Sequence, residues 1–295
     1  MTTDQPALPS PELGEIREIR ESPSLVGSLV RGALTAKGRG GDLTTRRLLR
    51  RGVQVDRGHL ADYQRLVGAP GGDVLPHAYP HLLGFPLAAK IMSDRDFPLP
   101  MPGLVHVENA TTVHRTLTAG EDYDVTVWAE ALRPHPKGRL VDLVTLLQVD
   151  GEAVWEETST YLQRGRGDDG APRGADAPGI PAGEPCARWR LADDLGRRYA
   201  SVSGDVNPIH LHPLTARAMG FPRAIAHGMW TGARTLAALG PASTGPSRSH
   251  VWFRKPVLLP TTVDLVVDRS GDVQVAAMRS SKRPETVHLV ATLEA

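Results

Sequence analysis

Two stretches of this chain run in step with one another. Tyr63-Gln-Arg-Leu-Val-Gly68 and Tyr199-Ala-Ser-Val-Ser-Gly204 keep the same Tyr–Gly spacing at an offset of 136 residues. Downstream, Phe85-Pro-Leu-Ala-Ala-Lys-Ile91 faces His227-Gly-Met-Trp-Thr-Gly-Ala233 at 142, and His106-Val107 faces His250-Val251 at 144. Finally, residues 120–125 face residues 260–265 at 140. Each match alone is weak. Their shared order and small drift point to a duplicated unit, so whatever folds once must fold twice.

Residues 164–184 separate the two copies. RGRGDDGAPRGADAPGIPAGE is rich in Gly, Pro, Ala and Asp and carries no apolar period, which marks a connection rather than an element. This predicts an N-terminal domain over 1–164, a linker over 165–184 and a C-terminal domain over 185–295. Within the second copy, Ile225–Leu239 places Met229, Ala233, Leu236 and Leu239 on one helical face and stops at Gly240-Pro241. Strand-like runs follow at 250–254, 263–268, 273–278 and 287–293. The first copy has matching runs at 104–107, 123–130, 139–149 and 153–162. Strands in succession without intervening helices imply an antiparallel sheet, and one apolar helix per copy lies against it.

Composition narrows the function. The 34 Lys+Arg and 33 Asp+Glu leave a formal net charge of +1, unlike the strongly basic domains that bind nucleic acid. The single cysteine, Cys186, permits neither an intrachain disulfide nor a cysteine-based metal site. The N-terminal stretch MTTDQPALPSPELGEIREIRESP carries acids and prolines where a secretory signal needs a basic start and an apolar run. No run approaches the ~18 apolar residues of a membrane span. A cytoplasmic protein is expected.

The densest polar cluster is Tyr199-Ala-Ser-Val-Ser-Gly-Asp-Val-Asn-Pro-Ile-His210. Gly204 and Asn207-Pro208 are turn residues, which put Asp205 and His210 on one short irregular segment. A carboxylate and an imidazole held together can accept and donate protons at the two ends of one water. On spacing alone, the run also reads as a solvated Asx turn. His227-Gly228-Met229 opens the following helix. The first N–H groups of a helix lack partners, and glycine lets a substrate approach, so Gly228 N–H can stabilise a developing oxyanion. A plain entry turn fits the same residues.

Taken together, Gly204-Asp-Val-Asn-Pro-Ile-His210 and His227-Gly-Met229 resemble the hydratase-2 motif of the MaoC-like dehydratases. The resemblance is strong over 189–295 and weak over 45–164. It implies the hotdog fold in its double form: an α+β architecture of two antiparallel sheets, each wrapping a central helix, joined into one continuous sheet. It further implies reversible hydration of trans-2-enoyl thioesters and dehydration of (R)-3-hydroxyacyl thioesters, carried by coenzyme A or acyl carrier protein. Asp205 and His210 are then the acid/base pair and Gly228 N–H the oxyanion donor. Asn207 orders the loop or the water, and Tyr199, Ser203, Gly204 and His227 support the site. No metal and no cofactor is implied. A monomer or a homodimer of such double units is compatible with the pattern. A hotdog thioesterase and a non-catalytic acyl-binding scaffold are the competing readings.

The first copy departs from the motif. Ala-Pro-Gly-Gly-Asp-Val-Leu-Pro-His77 follows Gly68, and Phe85-Pro86 stands where His227-Gly228 stands in the second. Proline has no N–H to offer, so this copy is expected to be non-catalytic. Pro76, Pro80, Gly84 and Pro86 predict a central helix that is shortened or starts only near Pro86. The space so left predicts an acyl tunnel lined by Leu82, Leu83, Phe85 and Leu87, and a preference for medium or long chains. His77 and His81 have a spacing a metal could use, but Pro80 and the lack of a carboxylate disfavour it. The basic run Arg46–Arg51 reads as a solvated face, with a carrier-binding patch as the alternative. Trp230 and Trp252 read as core or tunnel wall.

Overall fold

The computed structural model describes residues 14–240 and 243–295, so most of the acidic, proline-bearing N-terminal stretch lies outside the described residues. The first copy contains β1 (Ile16–Glu18), α1 (Leu25–Leu34), β2 (Arg47–Val53), α2 (Arg57–Val67), α3 (His81–Ser93), β3 (Leu104–Val113), β4 (Tyr123–His135), β5 (Gly138–Val149) and β6 (Glu152–Arg164). The second contains β7 (Ala187–Leu191), α4 (Leu195–Ser203), α5 (Pro208–Leu211), α6 (Pro213–Ala218), α7 (Gly228–Ala237), β8 (Ser247–Phe253), β9 (Thr261–Asp268), β10 (Val273–Ser280) and β11 (Val287–Glu294).

All the named strands join one sheet in the order β1-β2-β4-β5-β6-β3-β8-β11-β10-β9-β7. Apart from β1 at the edge, the order mirrors about the β3–β8 junction: β3 answers β8, β6 answers β11, β5 answers β10, β4 answers β9 and β2 answers β7. Every pairing is antiparallel except β1 with β2. At the junction Glu108 lies opposite Trp252, 144 residues later, the spacing that also separates His106 from His250. A residue that pairs with its own counterpart marks a twofold axis. The protein is therefore a double hotdog, with two related units sharing one sheet.

Side-chain alternation along the strands sets the two faces. Val251, Leu265, Met278 and Leu289 join the main core with α3 and α7. Val266, Ala277 and Val290 turn the other way and pack with Trp252 and Ala177. Trp252 is thus on the outer face. It stacks on His250 at 3.8 Å and donates its Nε1–H to Ala175 O at 3.1 Å. The connection between β6 and β7 has no helix or strand, yet it lies across the junction rather than hanging free: a Cβ at Gly174 would run into Glu108 Oε1.

The first central helix departs from expectation. α3 excludes Pro76 and Pro80 but starts at His81, holds Pro86 in its interior and runs for 13 residues against 10 for α7. An interior proline costs about 3 kcal/mol in an exposed helix. Here Leu82, Leu87, Ile91 and Met92 are buried, and each large apolar side chain contributes roughly 1.5–3 kcal/mol on burial. Burial outweighs the lost hydrogen bond. Gly84 is not a weak point either: a Cβ there would meet Thr145 Cγ2 at 2.5 Å, so glycine lets α3 lie close on β5. Leu82 and Leu87 belong to the core, while Leu83 and Phe85 are partly exposed. The helix is therefore not retracted, and the side chains of Leu83 and Phe85 are less enclosed than those of Leu82 and Leu87.

The two units are also tied helix to helix. Trp230 Nε1–H and Arg234 Nη1 on α7 donate to Leu66 O (3.2 Å) and Val67 O (2.9 Å) at the C-terminal end of α2. A cation there complements the helix dipole. His59 Nε2 on α2 donates to Val202 O on α4 at 2.6 Å. Among the described residues no helix is long and apolar enough to cross a membrane.

Candidate active site

The second unit's polar loop starts where α4 stops. Gly204 caps α4 with φ 68° and ψ −1°, a left-handed conformation that favours glycine. Its counterpart Gly68 caps α2 with φ 67°, which explains the Tyr–Gly spacing shared by the two copies. Beyond Gly204 the loop ties itself together. Asp205 N–H donates to Ser203 Oγ at 3.1 Å, and Asn207 N–H to Asp205 Oδ1 at 3.1 Å. Asn207 Oδ1 accepts from Ile209 N–H at 3.4 Å and so caps α5, with Pro208 at the first helical position. This short helix carries His210 inward, 7% exposed.

His210 Nδ1 lies 2.8 Å from Ile225 O. A carbonyl only accepts, so Nδ1 carries the proton and Nε2 presents a lone pair. Burial pushes the His210 pKa below its ordinary value, opposed by the Asp205 charge and the bond to Ile225. His227, the N-cap of α7, donates Nε2–H to the backbone O of Asp205 at 2.9 Å, with the carboxylate Oδ2 at 3.7 Å. Burial first, then His210, pushes its pKa down to about 3. Both imidazoles are neutral near pH 7. Their rings stack at 3.7 Å and 24°, and Tyr199 packs on His227 at 4.9 Å. His227 Nδ1 is buried without a hydrogen-bond partner among the described residues.

Because His227 turns its side chain back to Asp205, it does not cap α7. The backbone N–H groups of Gly228, Met229 and Trp230 have no partner among the described residues. Gly228 lies under Phe253 of β8: a Cβ there would sit 3.4 Å from the ring. A carboxylate, a neutral imidazole and a free helix N-terminus thus meet within one loop cluster.

Asp205, His210 and His227 bring three metal-capable atoms within 4.8 Å of one another. With the imidazoles face to face, their in-plane lone pairs run side by side instead of converging, which is poor geometry for a shared ion. His77 and His81 go separate ways: His77 bonds Ser247 Oγ at 3.1 Å and Ser249 Oγ at 2.7 Å, and His81 bonds Glu157 at 2.7 Å. His212 caps α6 by accepting from Leu214 N–H.

Sequence reasoning missed what the first unit brings to the site. His106 on β3 lies 5.0 Å from the Phe253 ring and stacks on Tyr161 at 4.6 Å. Its Nε2 is buried without a partner among the described residues, and burial holds its pKa down at about 3. The Asp205 charge reaches both His106 and Tyr161. The only sequence signal was the pairing of His106 with His250; alternation along β3 could place its ring on the helix side but could not show what it faced.

Comparisons with known proteins address the family and the fold. The family model described as MaoC like domain matches residues 187–291. Over 251 residues the chain is 37% identical to 3-hydroxyacyl-thioester dehydratase X of Mycobacterium tuberculosis, covering 83% of this chain and 89% of that protein. The crystal structure of HtdX from M. tuberculosis superposes with a TM-score of 0.74 at 34% identity, covering 85% of this chain and all of that one. A MaoC-like dehydratase from Phytophthora capsici shares the fold at 18% identity, with a TM-score of 0.70 over 84% of this chain and 95% of its own. The chain belongs to the MaoC-like dehydratase family.

Proposed function

We propose that this protein is a hydro-lyase that dehydrates (R)-3-hydroxyacyl thioesters and, in reverse, hydrates trans-2-enoyl thioesters. The observation that carries this reading is the meeting of Asp205 and neutral His210 beside the uncapped N-terminus of α7. The similar M. tuberculosis protein, a 3-hydroxyacyl-thioester dehydratase by name, supports the reaction class.

In the hydration direction the thioester oxygen accepts a hydrogen bond from Gly228 N–H. This polarises the carbonyl and stabilises the enolate that forms as oxygen adds to C3. Asp205 accepts one hydrogen of the attacking water and fixes its orientation. His210 Nε2 takes the other proton as the O–C3 bond forms, and the resulting imidazolium returns a proton to C2. One water is consumed, its hydroxyl on C3 and a proton on C2, with both additions on the face that His210 commands. Asn207 and Ser203 hold the loop, Gly204 sets its turn, and Tyr199 and His227 wall the imidazole. The acyl chain runs from Gly228 past Phe253 and His106 towards Phe85 and Leu83, the partly exposed pair among the four residues expected to line its path. Leu82 and Leu87 stay in the core.

Incubation with a trans-2-enoyl-CoA tests this directly. Loss of the conjugated absorbance without free thiol is expected. Thiol release marks a thioesterase, and no change marks a non-catalytic binder; either overturns the reading.

A further inference from the structure

Away from the catalytic loop, one recess is built mainly from cations. Arg17 on β1, Arg31 on α1, Arg46 just before β2, and Lys90 and Arg95 at the C-terminal end of α3 line a cavity of about 520 Å3. Two carboxylates share it. Asp94 is held by Arg46 at 2.8 Å, Lys90 at 3.1 Å and Arg31 at 3.6 Å, and Asp96 lies 3.3 Å from Arg46. Arg17 and Arg95 are exposed and have no ion-pair partner among the described residues. Five cations against two carboxylates leave the recess positive, with two guanidinium groups uncommitted.

Its position connects it to the reaction site. α1 starts against the catalytic loop, since a Cβ at Gly204 would meet Leu25 Cδ1 at 2.5 Å. Arg31 lies further along the same helix, about 9 Å from Leu25 by helical rise. α1 then packs along α3, with Gly32 against Met101. Helix α1 thus runs from the catalytic loop to the recess, the direction a pantetheine arm would follow from a thioester at Gly228.

We propose that this recess binds the 3′-phosphate and diphosphate of coenzyme A, an inference that rests on the thioester reading above. Three features favour coenzyme A over an acidic carrier-protein surface. The cations gather around one open recess of about 520 Å3, room enough for a diphosphate but not a flat face. Arginine forks match phosphate oxygens in pairs. Arg17 and Arg95, without a carboxylate partner among the described residues, leave two guanidinium groups on one recess for a compact multiply charged phosphate.

The test compares the wild-type chain with the double variant Arg17→Ala/Arg95→Ala, which removes two exposed side chains and no ion pair. The substrates are a trans-2-enoyl-CoA and the matching enoyl-pantetheine, which lacks the adenosine phosphates. The KM for enoyl-CoA should rise by about 10-fold, the sum of two exposed phosphate contacts, with kcat unchanged and the pantetheine kinetics unmoved. In parallel, calorimetric titration with adenosine 3′,5′-bisphosphate should show binding to the wild type that the variant loses. An unchanged KM for enoyl-CoA, or an equal rise with both substrates, overturns the proposal. So does a rise confined to an acyl-carrier-protein thioester, which would mark a protein-docking face. If neither thioester turns over, the reaction assignment fails while the titration still decides the recess: binding lost in the variant sustains the site, and equal or no binding overturns it.

Discussion

The two units start alike and then diverge within one turn. α2 and α4 end on glycines of nearly the same left-handed conformation, each five residues after a buried tyrosine. In the first unit residues 69–80 lead directly to α3. In the second, residues 205–227 are about twice as many, and they build α5 and α6 and carry Asp205 and His210. The helix starts differ as well. Leu82 and Leu83 N–H already bond to Tyr79 O and Pro80 O, whereas the first three N–H groups of α7 have no partner among the described residues. At the start of α3 a tight entry turn thus occupies donors that the start of α7 leaves without partners among the described residues. The proline expected to remove a donor lies inside the helix instead. Longer connections are thermodynamically cheap, so the second unit's extra loop was an inexpensive place to keep chemistry.

This contrast can be broken most directly at the carboxylate and imidazole. Asp205→Asn and His210→Ala are expected to cut turnover of an enoyl-CoA by ~10²-fold or more, the scale of a lost general acid/base. Asp73→Asn in the shorter loop, where the carboxylate pairs with exposed Arg57, should leave turnover within about two-fold, as surface changes usually do. Comparable losses in both loops would erase the distinction.

Acid provides the next largest effect, and here both units should contribute. Burial lowers the pKa of His77 to about 4 and of His106 and His227 to about 3. Their folded-state values lie below the unfolded one, so below pH 6.5 the unfolded chain binds protons that the folded chain refuses. Stability is then full above pH 6.5 and falls with pH until the folded values are reached. The slope approaches 1.4 kcal/mol per pH unit for each group. Urea midpoints between pH 7 and 5 measure it, and His106→Gln should flatten the curve by one group's share. Turnover should fall on the acid side as well, with a midpoint below the ordinary histidine value, because His210 must stay neutral.

Smaller effects sharpen the comparison at the glycines. Gly84→Ala drives a methyl into Thr145 and should cost about 1–3 kcal/mol of stability, as overpacking does. Gly68→Ala and Gly204→Ala each force a side chain into left-handed backbone and should each cost on the order of 1 kcal/mol, read by thermal unfolding. Only Gly204→Ala should also lower kcat, since Gly204 sets the turn that aims Asp205.

Much of this was legible in the sequence because it rests on local chemistry. The Tyr–Gly pairs, the eight strand runs and the Asp205–His210 segment depend on turn residues and side-chain period. What escaped depends on tertiary contact. β1, β2 and β7 are short edge or near-edge strands whose pairing no period announces. The continuity of α3 through Pro86 is decided by burial against the sheet, and Gly84 looked like a breaker because its close approach to Thr145 belongs to another strand. His106 and Phe253 reach the site only because β3 and β8 meet at the junction. The basic recess draws Arg46 from a run that read as a solvated face and joins it to residues scattered over 17–95.

The register at Glu108 and Trp252 has a consequence for the chain if it is ever cut between the units. Cleavage within 165–184, followed by separation, would leave β8 as a bare edge, with a row of backbone donors and acceptors that β3 now satisfies. A strand that pairs with its own counterpart about Trp252 can pair equally well with a copy of itself. The second unit alone would close that edge by homodimerisation and so carry two Asp205–His210 loops in one particle. The tandem chain forestalls this self-pairing by supplying a permanent mate within the same chain, one whose own loop lacks the Asp205–His210 pair.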